Sequence, residues 1–595
     1  MVGAGLIFNP TLLNGDSYSR DGTHSKSPER GPAGLRRSKP PPNPGVNTVV
    51  DEEMARPMTA NRAPKRPCTL YVILLALGVL AGGTAPAVAG ESLRRGNGAE
   101  PGTLDPHRID NAWETEIAND MFLGLTTEGA DAKPVPGAAE SWAVSADGLV
   151  WTFKLRPGLM WSDGTALTAG DFVYSFRRLL DPKTAAKYAS IQYVIKNAAA
   201  VNSGKMPLES LGVRAADDHT VEITLEAPTP YLPGLMAHTT AMPVPEHVIR
   251  RFGEEWVRPG QMVSDGAYVL AEDSPNDHIK LTKNPRFYDA PHVAIDEVIF
   301  YPIEDVNVAL TRFRARELDI NVTTGGFPIE QLGWLKENMP GEAHIFPALI
   351  NLYDVFNLHR QPFSDIRVRQ AVSLCIDRDL LTSKVLRDGS TPAYAFVPPG
   401  IANYPGTARL NFASWSVAQR VTEAKRLLAM AGFNINHPLT VEHLYQNTVT
   451  SRRIAIAETA MLKNCGIIVH SLADEPKVFY HTIEEGDFTM ATALWGADYN
   501  DAQTFLYLLD SRSVGFNFGA YNNPRMDALL DQAKTELDVA KRAVLLGQAE
   551  QIALDDDAVA PLIFPSTRDL VAPYVKGYVD NAVNSHPTRW MRLER

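Results

Sequence analysis

Cysteine is scarce in this sequence, with three in 595 residues, and only Cys375 and Cys465 follow residue 89. Two cysteines in so long a chain exclude a fold built on a disulfide framework. Both lie in apolar stretches, which favours buried free thiols, and a single bridge between them is the alternative.

Sequence motifs for common enzyme chemistry are also missing. The chain has no Walker A loop, no GxSxG, no HExxH and no Cys/His cluster at zinc spacing. The sequence therefore predicts a protein that is not an enzyme, with no catalytic residue, no cofactor and no metal site. A secreted hydrolase remains an alternative, because paired catalytic carboxylates carry no sequence signature.

Basic charge is low in the main part of the chain. Residues 1–89 hold 10 of the 57 Lys and Arg residues and 6 of the 69 Asp and Glu residues, so residues 90–595 carry a formal charge of about −16. Binding to phosphate backbones needs a basic face. The charge balance therefore argues against nucleic acid as a partner.

The first 89 residues do not have the pattern of a folded domain. Residues 1–53 are rich in Ser, Pro, Gly and Asn, which predicts a disordered or wrongly assigned upstream segment. Residues 54–89 combine the basic RAPKRPC, the apolar TLYVILLALGVLAGG and small residues before Ala89, as a signal peptide does. We expect cleavage after Ala89 and export to the periplasm, with an uncleaved anchor as the alternative.

Strand-like and helix-like patterns alternate along the remaining chain. Alternating apolar residues predict strands at 150–155, 220–228, 278–284, 294–303, 438–446 and 466–473. Apolar residues at helical spacing predict helices after a capping box at Thr168 to Asp171 and at 305–318, 362–386, 416–433 and 452–465. Together with the length, this indicates a mixed α/β protein of roughly three domains.

Residues 137–182 contain AESW, DGLVWTFKLR and WSDGTALTAGDF in close succession. This run resembles the signature of the extracytoplasmic solute-binding proteins that include oligopeptide- and dipeptide-binding proteins. Further matches are PFSDIRVRQAV at 362–372 and AKRLLAMAGF at 424–433. The resemblance extends over essentially all of residues 90–595 and is greatest with the oligopeptide-binding members.

The resemblance implies an α/β periplasmic-binding-protein fold, in which two lobes close on a ligand about a hinge of two crossing strands. An additional domain is inserted near the N-terminus. By position we expect three parts: lobe I at 90–122, 247–348 and 566–595, the inserted domain II at 123–246, and lobe III at 349–565.

The same resemblance implies a periplasmic receptor that binds oligopeptides in a closing cleft. It would deliver them, as a monomer and without chemistry, to an inner-membrane ABC permease with its cytoplasmic ATPases. The alternative is a receptor of the same fold for a non-standard amine-bearing ligand, such as a cell-wall peptide, an opine, haem or a metal chelate.

The stretch LWGADYNDAQTF at 494–505 holds the main expected contacts. The resemblance implies that Asp498 accepts the α-amino group of a bound peptide and that Trp495 forms part of the pocket. It also implies that backbone near Leu494 and Gly496 pairs with the peptide main chain as an added strand. A capping or solvated carboxylate is the alternative for Asp498.

Other expected contacts are more scattered. On the opposite lobe, the segment matching the family's contact with the start of the peptide is Asp110, Asn111 and Ala112. Tyr445 could line the pocket, with a core tyrosine as the alternative. We interpret Asp501 as a structural residue, a turn former or helix N-cap, because acids suit helix starts.

The other end of the ligand has no evident partner. Some oligopeptide binders place an arginine or a histidine against the peptide's C-terminal carboxylate, and the matching positions here are Thr492 and Ser451. Neither residue is basic, and an unpaired buried carboxylate is costly. The chain would then favour longer peptides, bind a modified ligand, or use another cation, for which the candidates are Lys336, Lys477 and His481.

Overall fold

The computed structural model describes residues 90–109, 111–322, 326–402, 404–497, 499–513 and 515–595. The predicted upstream segment and signal peptide lie outside the described residues, and so do Asp110 and Asp498. The side chains of Pro476 and Lys477 are not described either.

The described residues contain 21 strands. In chain order they are β1 (Ser92–Gly96), β2 (Thr126–Glu128), β3 (Pro134–Pro136), β4 (Ala139–Val144), β5 (Val150–Leu155), β6 (Val213–Asp217), β7 (Thr220–Thr224), β8 (Tyr268–Ser274), β9 (His278–Lys283), β10 (Glu297–Tyr301), β11 (Ile320–Asn321), β12 (Ala343–Pro347), β13 (Ile350–Phe356), β14 (Thr391–Pro392), β15 (Leu439–Gln446), β16 (Ile467–Asp474), β17 (Met490–Gly496), β18 (Val559–Phe564), β19 (Ser566–Val571), β20 (Val575–Lys576) and β21 (Arg592–Leu593).

The same residues contain 15 α-helices. They are α1 (Ala112–Met121), α2 (Ala169–Leu180), α3 (Ala198–Asn202), α4 (Leu232–Leu235), α5 (Glu246–Phe252), α6 (Val306–Arg314), α7 (Leu332–Asn338), α8 (Ile366–Cys375), α9 (Arg378–Leu380), α10 (Val417–Met430), α11 (Val449–Asn464), α12 (Pro476–Glu484), α13 (Gln503–Leu506), α14 (Pro524–Thr535) and α15 (Val539–Asp555).

Local sequence chemistry accounts for several of these boundaries. The predicted capping box starts α2, where the Thr168 N–H donates to Asp171 Oδ2 at 2.8 Å. The prediction of one helix over 362–386 was wrong, because α8 ends at Cys375 and the side chain of Asp377 then caps α9. A π-helical turn, Leu381–Leu386, completes this region.

Two large sheets form the framework of the described chain. The first has seven strands in the order β12-β19-β11-β1-β10-β9-β8, and the second has six in the order β14-β18-β13-β17-β15-β16. A four-stranded sheet, β4-β5-β7-β6, comes from residues 139–224. These sheets draw their strands from the ranges expected for lobe I, lobe III and domain II respectively, and the exact domain boundaries stay a prediction.

The apolar core follows the same division. The seven-stranded and four-stranded sheets contribute to one continuous cluster, which includes the fully buried Leu93 and Phe153. The six-stranded sheet builds a second cluster, which includes Tyr353 and Met490. Two separate cores allow the two parts to move as units, because each buries its own apolar surface.

Two short connections join the large sheets. Strand β12 runs through residues 348–349 into β13, and β18 runs through Pro565 into β19. The Ala348 N–H donates to Pro565 O at 3.1 Å, so the two connections are bonded to each other where they cross between the sheets. This is the two-strand hinge that the resemblance implied.

The two cysteines of the described chain are bonded to each other. The disulfide between Cys375 and Cys465 links the end of α8 to the residue after α11, with Cα atoms 6.3 Å apart. The expectation of free thiols was therefore wrong. The sequence did not reveal the bond because the two cysteines are 90 positions apart. They come together only through the packing of α8 and α11 on the six-stranded sheet.

Among the described residues, no helix combines the length and apolar character needed to cross a membrane.

Candidate functional site

Strand β17 positions the expected site, and one of its edges is open. It pairs with β13 along its whole length, from Met490 opposite Phe356 to Gly496 opposite Ile350. On the other side β15 pairs with it only at Met490 and Ala491. From residue 492 to 496, that edge of β17 has no strand partner within the described chain. An extended peptide could therefore add to it as a strand.

The loop that follows β17 is anchored on both sides of the position of Asp498. The Ala497 N–H donates to Leu349 O at 2.9 Å, which ties the loop to a hinge connection. The Ala402 N–H donates to Asn500 Oδ1 at 2.7 Å. Asp498 itself lies outside the described residues, and its role as the acceptor of an ammonium group stays a prediction.

Asp501 has a structural role, as its position in the sequence indicated. Its Oδ1 accepts from the Gln503 N–H at 2.9 Å at the start of α13. Its two oxygens also pair with Arg542 at 2.6 and 2.9 Å. Both side chains are buried, and this partner on α15 was missed because no local pattern marks it.

An aromatic stack joins domain II to the same loop. The rings of Tyr231 and Tyr499 are parallel within 3° with centroids 4.6 Å apart. The guanidinium of Arg542 lies 5.5 Å from the Tyr231 ring centroid, within cation–π range. Burial raises the pKa of Tyr231 to about 12. Domain II therefore contacts the loop through an aromatic stack, and no sequence motif predicts this contact.

The expected pocket residues near β17 lie in well-packed surroundings. The Trp495 side chain is 7% exposed, its Nε1 donates to Thr504 Oγ1 at 3.4 Å, and Phe516 meets its ring edge-on. Leu494 is half-buried and Gly496 is buried. Tyr445 is 8% exposed near the end of β15. Their contacts with a ligand stay predictions.

On the opposite lobe, Asn111 immediately precedes α1 and Ala112 is its first residue. The Asn111 carbonyl accepts from the Thr115 N–H at 3.1 Å, and the Glu114 carboxylate accepts from the Gly102 N–H at 2.7 Å. The Ala112 side chain is exposed. This helix start is well defined, and contact of Asn111 and Ala112 with a peptide stays a prediction.

Thr492 is buried and already bonded within lobe III. Its hydroxyl donates to Asp354 Oδ1 at 2.8 Å and lies 2.6 Å from His443 Nε2. Ser451 lies in the first turn of α11, where its Oγ accepts from the Thr448 hydroxyl at 2.8 Å. Both hydroxyls are therefore used locally.

The cations that could serve the ligand's carboxylate instead lie on two helices. Lys336 is exposed on α7, and His481 is exposed on α12. Lys477 belongs to α12, but its side chain lies outside the described part. A contact between any of these residues and a ligand stays a prediction.

The model of the family "Bacterial extracellular solute-binding proteins, family 5 Middle" matches residues 133–517. The chain belongs to this family. The periplasmic oligopeptide-binding protein OppA of Escherichia coli is 40% identical over 494 residues, covering 82% of this chain and 90% of that protein. The probable deoxycholate-binding periplasmic protein YgiS of the same organism is 37% identical over 496 residues, covering 83% and 91%.

Solved structures of similar proteins allow the conformation of this chain to be compared as well as its sequence. The unliganded open form of the periplasmic murein tripeptide binding protein MppA has a TM-score of 0.77 at 35% identity, covering 85% of this chain and 98% of that one. A second MppA structure, from E. coli, scores 0.70 at the same identity, covering 85% and 99%. Haemophilus influenzae OppA in complex with RPPGFSPFR scores 0.69 at 34% identity, covering 85% and 99%. At nearly equal identity and coverage, this family member is therefore more similar to the open form than to the peptide complex.

Proposed function

We propose that this family member is a periplasmic receptor that binds oligopeptides between its lobes and passes them to an inner-membrane ABC importer. Binding shifts the protein from an open to a closed form, which requires the ligand to contact both lobes in the closed form. The receptor does no chemistry on the peptide. The 40% identity to an oligopeptide-binding protein supports this proposal.

The observation that carries the proposal is the open edge of β17 directly before the anchored 497–501 loop. Main-chain pairing along residues 492–496 would recognise any extended peptide, and Asp498 would accept its terminal ammonium group. Such binding tolerates many sequences, because the affinity comes from groups that all peptides share.

Export and cleavage are part of the same proposal. Both relatives described above are named as periplasmic proteins. The segment at 54–89 would direct export, and cleavage after Ala89 would leave Ser92, the first residue of β1, three positions into the mature chain. A disulfide is also expected of a protein that folds in an oxidising compartment. We propose that the exported receptor acts as a monomer with permease subunits and their cytoplasmic ATPases.

A second candidate is a receptor for a cell-wall peptide. The observation in its favour is the 35% identity to the periplasmic murein tripeptide binding protein MppA over 85% of this chain. The relative named for deoxycholate binding shows that proteins at this level of identity carry names for different ligands. Ligand class must therefore be measured.

The deciding experiment identifies the bound ligand. The mature protein is purified from the periplasm of cells that produce it, denatured, and the released molecules are analysed by mass spectrometry. Unmodified peptides of mixed sequence support the main proposal, and murein fragments support the second candidate. Release of a steroid acid or another molecule without an amine would overturn both.

Calorimetric titration of refolded, ligand-free protein with synthetic peptides then gives the affinity. A chromogenic peptide incubated with the protein should remain intact, and its cleavage would overturn a role in binding alone.

A further inference from the structure

Three buried polar side chains from three elements of lobe III converge behind β17. Asp354 comes from β13, His443 from β15 and Glu458 from α11, and each has a side chain with no exposed surface. His443 Nε2 lies 3.6 Å from Asp354 Oδ1 and 3.8 Å from Glu458 Oε2. One donor atom from each residue falls within 4.8 Å of the other two.

Most of the bonding capacity of this cluster is unused. Neither oxygen of Glu458 has a hydrogen-bond partner, and the same holds for Asp354 Oδ2 and His443 Nδ1. Buried polar atoms without partners cost free energy, and natural proteins rarely leave several in one place. The unused oxygens therefore point to a missing positive group among them.

Arg378 is a buried cation of the same lobe, and its hydrogen bonds go to groups other than the two carboxylates. The Arg378 guanidinium donates to the carbonyls of Pro561, Ser373 and Ile376 and to the Ser373 hydroxyl. All of these acceptors are uncharged. The cluster therefore needs either a proton or a metal ion.

We propose that Asp354, His443 and Glu458 bind a divalent transition-metal ion, with Zn²⁺ as the reference metal. Two carboxylates and one neutral imidazole balance a charge of 2+, and this mixed N/O donor set suits such ions. Ligand atoms about 2.0–2.2 Å from a tetrahedral zinc lie roughly 3.3–3.6 Å apart. The two separations from His443, 3.6 and 3.8 Å, need to shrink by only a few tenths of an ångström, and the Asp354 and Glu458 oxygens, which lie within 4.8 Å of each other, would close on the ion.

Metal binding would use one ligand atom that now has a hydrogen-bond partner and others that have none. His443 Nε2 would exchange its contact with the Thr492 hydroxyl for the metal, and the orphaned Glu458 oxygens would gain a partner. The ion would tie β13, β15 and α11 together beneath Thr492. Because Thr492 begins the open edge of β17, metal occupancy would stiffen the strand that leads into the 497–501 loop. This role is structural and independent of the proposed peptide binding.

The test measures metal content in the full mature chain, free of affinity tags. The protein is unfolded, stripped with a chelator, refolded with Zn²⁺ and desalted, and its zinc is measured by mass spectrometry. Refolding matters because the site is fully buried. We expect about one zinc per wild-type chain, and less than a tenth of that in Glu458→Gln and in His443→Gln. The matched control is His470→Gln, which removes an exposed histidine on the adjacent strand β16 and should retain the wild-type zinc content.

A second readout guards against variants that fail to fold. Zn²⁺ during refolding should raise the melting temperature of the wild type and of His470→Gln, and Mg²⁺ should not. A zinc-free wild type with an unchanged melting temperature would overturn the proposal and leave a proton shared by the carboxyls. Equal zinc in wild type and in folded Glu458→Gln would also overturn it.

Discussion

Asp501 and Arg542 form a two-pronged ion pair inside lobe III, with oxygen–nitrogen distances of 2.6 and 2.9 Å. The pair joins the loop after β17 to α15, and Arg542 also lies against the ring of Tyr231. A single acid thus links the start of α13, the buried face of α15 and the contact with domain II. Removing the Asp501 carboxylate should therefore lower the free energy of unfolding more than it lowers the affinity for a ligand.

We predict that Asp501→Asn lowers the free energy of unfolding by about 3–5 kcal/mol, because it leaves the buried Arg542 charge unpaired. Chemical unfolding followed by circular dichroism measures the change. The matched control is Asp487→Asn, which breaks an exposed pair with Arg360 at 3.1 Å and should cost less than about 1 kcal/mol. Equal costs for the two variants would contradict a structural role for the Asp501 pair.

The disulfide gives a second stability prediction. Replacing both Cys375 and Cys465 by alanine should lower the free energy of unfolding by about 2–4 kcal/mol, because the bond closes a long loop in the unfolded chain. Unfolding curves with and without reductant measure the effect, and reductant should shift the wild type but not the double variant. Two titratable thiols in the denatured, unreduced wild type would disprove the bond.

Glu550 on α15 gives a pH dependence. Burial raises its pKa from 4.5 to about 7, while its carboxylate accepts from the N–H groups of Phe396 and Val397 and from the Tyr404 hydroxyl. A raised folded pKa means that the folded state holds the proton more tightly than the unfolded state. The contribution of this group is therefore fully present below about pH 4.5 and is lost as the pH rises through about 7.

Glu550→Gln should remove that dependence, because the amide keeps an acceptor for the N–H groups and does not ionise. Between about pH 5 and pH 8 the wild type should lose about 2.5 kcal/mol relative to the variant. Unfolding free energies at several pH values test this. The difference between the two proteins isolates Glu550 from other buried acids, and a constant difference across this range would rule out the raised pKa.

For ligand binding, we predict that Asp498→Asn weakens the affinity for free peptides by about 3–5 kcal/mol, the usual cost of leaving a buried charge without its partner. Calorimetric titration measures the loss. Asp487→Asn again serves as the exposed-acid control and should bind normally. N-acetylated peptides should bind the wild type about as poorly as free peptides bind Asp498→Asn. If acetylation leaves the affinity unchanged, the ammonium contact is not made by Asp498.

Local patterns predicted many elements because they depend on neighbouring residues. The strand at 150–155 matches β5 residue for residue, and α10 lies within the predicted 416–433. The alternation that predicts a strand and the spacing and caps that predict a helix each lie within a short stretch of the sequence. The predicted helix over 362–386 was wrong for the same reason, since the apolar pattern continues through the break that Asp377 caps.

Long-range pairings were beyond local patterns. The disulfide, the Asp501 to Arg542 pair and the stack of Tyr231 on Tyr499 each join residues far apart in the chain. The buried cluster around His443 escaped notice because its three donors come from separate elements with no motif spacing. Such contacts depend on how helices and sheets pack against one another, and local sequence patterns do not specify this.

The position of β1 in the seven-stranded sheet also sets an order of events during folding. This strand lies in the middle of the sheet, and the sheet also needs β19 from residues 566–571. The six-stranded sheet, by contrast, takes all its strands from residues 350–564. As the chain is made from its N-terminus, the six-stranded sheet can be completed while the seven-stranded sheet still lacks β19. The seven-stranded sheet, which holds the first strand of the described chain, is therefore completed after the six-stranded sheet, so folding of the two sheets follows the reverse of the order in which their first strands are made.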